Sequence, residues 1–333
     1  MHKSFLRSSL IKFLGGHCFE MLPVRLAPEA EPAPSPGQDY AYSHEATVAA
    51  IKSYYEFIDR MHPNETALEY PPANGWPQIT QESFASLGKT HDVIELLRHI
   101  PYFADDEIEI LASTKPRSFI DPQLCEMIHE ASKRLRSKLA LEETGNQSKI
   151  QENITEDEDG FPCSMILLAI GEEYGFKVYL DTTFGLIILT MNGGNFPNCE
   201  PKIKGDMSNP YIDWDAVEAQ HQRMLEGSVD EEDDENDIGQ NDWRTTKSQA
   251  FRIDSFFDMC REQWRLMNFM PMLEDPGRVA MLEHANPSED EVVRQNILKA
   301  VGWPGLEDNV EIKWDKESAQ KRMIEYFGDW GPI

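Results

Sequence analysis

Cys125 and His129 stand four residues apart, a spacing that sets two side chains on one helical face and could form half of a metal site. No second pair with ligand spacing accompanies them, so a core cysteine beside a boundary histidine is the better reading. His91, Asp92 and His99 could do acid–base chemistry. Yet an acid in a first helical turn and an imidazole beside Arg98 in a last turn are what the helix dipole favours. Asp157, Asp159 and Gly160 can be placed at positions 3, 5 and 6 of a calcium loop. Thr155 and Ile166 then fall at positions 1 and 12, where both end ligands fail. The phosphate-cradling GxGxxG and GxxxxGK[ST], the nucleophile motif GxSxG and the zinc motif HExxH are missing. The sequence therefore nominates no catalytic, cofactor-binding or metal-ligating residue, and no cofactor.

Aromatic residues are the other carriers of binding energy, because buried indoles anchor interfaces. Trp76 lies in "NGWPQIT" and Trp303 in "VGWPGLE", each on a turn beside proline, a place that favours exposure, though the sequence leaves open whether either points into the core or out toward a partner. Both are candidate partner-binding residues. Asp181, which ends a strand at a turn, is a third; with His91 and His99 it also belongs to the alternative reading, an enzyme with an unrecognised site near the strands. Trp264 falls on the inner stripe of a helix and is expected in the core.

The charge narrows the partners. Acids outnumber bases 59 to 31, a net charge of −28. Residues 142–160 carry seven acids and one lysine, and 226–242 carry nine acids and no base, so two runs hold more than half of the excess. Such a chain disfavours a nucleic-acid backbone or an anionic membrane surface and suits a basic protein partner. The cysteines, at 18, 125, 163, 199 and 260, are odd in number and scattered, which argues for a reducing compartment rather than a disulfide framework. Cytoplasm is expected. The alternative is mitochondrial delivery if residues 1–20, basic and free of acids before Glu20, act as a transit peptide.

Positioning these residues requires elements. Residues 1–41 form a leader and a Pro/Ala-rich linker expected to be largely disordered. A single α+β domain is expected over 42–330, or two packed subdomains at 42–140 (helical) and 161–330 (α+β), with mobile acidic loops at 142–160 and 226–248. Val48, Ile51, Tyr55 and Ile58 predict a first helix. Thr80 is expected to cap a helix at 81–87 closed by Gly88, Thr90 a helix at 91–99, and Asp121-Pro122 to start another. Three strands are predicted at about 164–169, 176–181 and 185–191, with Thr-Thr-Phe-Gly as a hairpin turn. Helices follow: one with Ile253, Phe257, Cys260, Trp264 and Met267 inward and Asp254 as N-cap, one opened by a Ser288/Glu291 capping box ahead of an apolar stripe of Val293, Ile297 and Val301, and one over 316–327. A short helix is also predicted within 210–225. Helices, an antiparallel meander, then helices define an α+β fold.

Two stretches carry a resemblance. "GWPQIT…LGKTHDVIELLRHIPYF" (75–103) resembles a segment that recurs in a filamentous-fungal family with no assigned activity. "MILLAIGEEYGFKVYLDTTFGLIILT" and "IDSFFDMCREQWRLM" (165–190, 253–267) are similar in order to SUKH-superfamily domains, which include cell-wall-synthesis regulators and toxin-immunity proteins. The likeness spans about a third of the chain and departs from the family by an acidic insertion of about 50 residues before the closing helix. It implies a non-enzymatic protein-binding scaffold without cofactors.

Overall fold

Ser43 turns the chain into its first helix: its side-chain oxygen accepts the Ala46 N–H, and its carbonyl accepts the Thr47 N–H. In the computed structural model, which describes residues 42–62, 68–104, 107–130, 133, 162–171, 175–191, 204–210, 248–273, 277–282, 286–303 and 314–328, this helix (α1) spans His44–Met61. The three- and four-residue spacing of Ile51, Tyr54, Tyr55, Ile58 and Met61 puts all five in the core. Thr90 caps α2 (His91–His99), and the Asp121 carboxylate accepts the Leu124 N–H at the start of α3, described over 122–130.

The sheet is an antiparallel meander of five strands in sequence order: β3 (Thr114–Pro116), β4 (Met165–Gly171), β5 (Phe176–Asp181), β6 (Leu186–Met191) and β7 (Gln249–Arg252). The three central strands are those their β-branched and aliphatic runs predict. The two edge strands are too short to show a period and escape sequence reading. Ile166 pairs with Leu180, Val178 with Leu189, and Ile187 with Phe251, so one face presents a continuous apolar layer to the helices. A register shift between Leu167 and Ala169 lets Leu168 and Ala169 both reach that layer. On the opposite face Met165, Tyr179 and Ile188 form a smaller buried cluster. Two ribbons, β1 (Leu68–Glu69) with β2 (Tyr102–Phe103) and β8 (Phe269–Pro271) with β9 (Val279–Met281), complete the strands.

Chain leaving β7 enters α4 (Ile253–Arg265) without a connecting loop, and α4 packs on α1 through Phe257 and Tyr54 (ring centroids 5.1 Å). Beyond it lie α5 (Glu289–Ala300), with the Ser288/Glu291 capping box formed as expected, and α6 (Lys316–Phe327), which buries Ala319 and Met323.

Three expectations need correction. Residues 81–87 form turns ending in a three-residue 3-10 segment, Ala85–Leu87, instead of a helix. The Thr80 and Ser83 hydroxyls bond each other and each other's backbone N–H groups, so polar side chains take the place of a helical ladder. The N-cap of α4 is Arg252, because the strand runs straight into the helix; Asp254 lies inside the first turn and accepts the Ser255 N–H. In α5 the deepest positions are Arg294 and Leu298, a stripe rotated from Val293, Ile297 and Val301, because the Arg294 guanidinium lies 4.5 Å from the Phe327 ring centroid. The acidic loops, apart from Ser248, and the helix predicted within 210–225, apart from Pro210, lie outside the described residues.

Candidate functional site

The two tryptophans, which the sequence leaves open between core and surface, both point into the core. Gly75, at φ +74°, lets the chain double back so that the Trp76 N–H donates to the Arg98 carbonyl and Nε1–H to that of Ile100, each at 2.9 Å. Trp76 is 9% exposed and packs on Tyr102. Trp303 is 3% exposed, between Trp264 (6.3 Å) and Trp314 (4.9 Å). A turn beside proline does not decide exposure when each indole has a cavity behind it. A Cβ at Gly75 would meet Arg98 Cγ at 2.5 Å and the Arg98 carbonyl at 2.9 Å. Gly75→Ala is therefore expected to cost about 2–3 kcal/mol, from a strained left-handed backbone plus a clash. A thermal or urea melt checks it, and a loss under about 0.5 kcal/mol would show the turn to be adaptable.

Asp181 is fully buried. Its Oδ1 accepts the Ser164 hydroxyl (2.8 Å) and the Thr183 N–H (2.9 Å), while Thr182 donates twice to the Ser164 carbonyl. It clamps the β5–β6 turn to the start of β4. His91 is exposed at the start of α2. His99 is half-buried at the other end, roughly 12 Å away by helical rise, with Nδ1 on the Glu95 carbonyl. Cys125 donates its thiol to the Phe119 carbonyl and His129 meets the Gln78 carbonyl, so backbone oxygens rather than a metal account for that pair. No group of three ligand-type side chains that could hold a metal occurs among the described residues.

The thiols differ in access. Burial, and then the Asp121 carboxylate, push the Cys125 thiol up, and burial pushes that of Cys260 far up; Cys163 is only half-buried. Alkylation of the native protein with site-resolved mass spectrometry should modify Cys163 before Cys125 or Cys260. Reaction of Cys260 at the same rate would contradict the packing of α4.

What the fold does bring together is a cleft of about 290 Å³ where the start of α1, the β5–β6 turn and the start of α4 meet. The N-cap Ser43 and the small α1 residues Ala46, Thr47 and Ala50 line it. Gly185, at φ +65°, closes the Thr-Thr-Phe-Gly turn and sets Phe184 on the lip, 40% exposed. Arg252 and Asp254 stand opposite and pair with each other at 3.0 Å. The Tyr42 hydroxyl is buried with no hydrogen-bond partner. Its pKa is raised well above the ordinary phenol value by burial, then by the Asp92 and Glu45 carboxylates, so it stays neutral. Beside the cleft, the Glu45 and Asp92 carboxylates act on Tyr42, and Asp206 accepts the Arg252 N–H.

Among the described lining residues, Arg252 and Asp254 form an ion pair with each other. The hairpin turn is legible in the sequence, whereas a role for its phenylalanine is not. The available signal was a large aromatic at a turn tip, where small polar residues are the rule. An α+β protein with a five-stranded antiparallel meander backed by helices, and a cleft at the start of two of them, is the class these features define. Comparison with family models, with curated proteins and with solved structures finds no match to the chain. No helix among the described residues is long and apolar enough to cross a membrane.

Proposed function

We propose that the chain is a non-catalytic, SUKH-like protein-interaction scaffold of the cytoplasm, and that its cleft receives an apolar side chain from a basic partner segment. The observation that carries this reading is Phe184, a large aromatic held 40% exposed at a cleft beside which the Glu45, Asp92 and Asp206 carboxylates stand. An aromatic edge supplies contact area at small entropic cost, and the carboxylates favour Lys/Arg-bearing approach. The net charge of −28 extends that attraction beyond contact range.

A photo-reactive phenylalanine analogue at position 184, with one at exposed Met127 as control, tests the site in a lysate of the source cells. A basic protein should be cross-linked from 184 and not from 127. Its yield should fall about tenfold in the Glu45→Lys/Asp254→Lys variant and at high salt. Phe184→Asp should abolish recovery of that same protein while circular dichroism shows the fold retained. Absence of a position-specific cross-link, or one indifferent to the charge reversals, overturns the reading. Tagged copies with and without residues 1–20 test the compartment, mitochondrial delivery being the alternative.

A further inference from the structure

We draw no further inference here: the strongest candidate outside the cleft, the buried junction where the Glu109 carboxylate meets the Ser113 and Val279 N–H groups and the Arg278 guanidinium, joins two parts of the chain by bonds that account for the carboxylate and shows nothing that points to a ligand.

Discussion

Trp264→Ala is expected to remove about 3–5 kcal/mol of folding stability, the range for truncating a large buried aromatic. Trp264 has no exposed surface, and it joins elements far apart in sequence. Its ring lies 6.5 Å from Phe57 and 6.0 Å from His62 at the end of α1, 6.4 Å from Phe269 on β8, and 6.3 Å from Trp303. Trp303 then meets Trp314, whose indole N–H reaches the Arg60 carbonyl, while Lys316 donates to the carbonyl of His62. Removing the central ring leaves a void bordered by four elements, which cannot all close on it. Domains are stable by only about 5–15 kcal/mol, so the variant should sit near the edge of folding. Urea unfolding followed by circular dichroism should show a lower midpoint at unchanged slope. A loss below about 1 kcal/mol would mean that the cluster is looser than its ring distances state. Trp303→Phe should cost much less. It removes a buried indole N–H that has no hydrogen-bond partner, and that relief offsets part of the lost volume.

The same cluster shows what sequence could and could not announce. Trp264 was legible because Ile253, Phe257, Cys260 and Trp264 share one helical stripe, and period is a local property. Trp303 was not, since its partners Trp264 and Trp314 come from separate stretches. The central strands were legible from runs such as Leu186–Leu189. β3 and β7, of three and four residues, exist because neighbouring strands offer them a ladder. The failed helix at 81–87 had a correct cap residue, but Thr80 and Ser83 bond each other. For the candidate site, the hairpin turn was visible in sequence and its cleft was not. Phe184 gains meaning only once α1 and α4 bring their first turns beside it, and the burial of Asp181 only once Ser164 folds onto it.

Removing the Glu109 side chain is expected to be the next most damaging change, and here two substitutions separate the causes. Glu109 is 2% exposed. Its Oε2 accepts the Ser113 N–H (3.0 Å) and the Val279 N–H (2.7 Å), and its Oε1 meets Arg278 Nε at 2.7 Å. The carboxylate thus ties the loop before β3, where Ser113 holds φ +50°, to β9. Glu109→Ala leaves the buried Val279 donor and its neighbours without an acceptor and should cost about 2–4 kcal/mol. Glu109→Gln keeps one oxygen for both backbone donors and turns an amide N–H₂ toward Arg278, donor against donor. The Arg278 side chain is already 40% exposed and can swing into water, so the glutamine variant should stay within about 1 kcal/mol of the parent. Burial raises the Glu109 pKa above the ordinary glutamate value, outweighing the lowering by the Val279 N–H, Arg278, the Ser113 N–H and Lys115. A folded-state pKa raised in this way means that the folded protein holds the proton more tightly than the unfolded chain. The resulting contribution is full below the unfolded value and is lost as pH rises through the folded one. Stability of the parent relative to Glu109→Gln should therefore fall as pH rises through that window and level off above it. Urea midpoints of parent, Gln and Ala forms across a pH series read both effects. A glutamine variant as weak as the alanine one would show that the charge, rather than the acceptor oxygen, holds the junction.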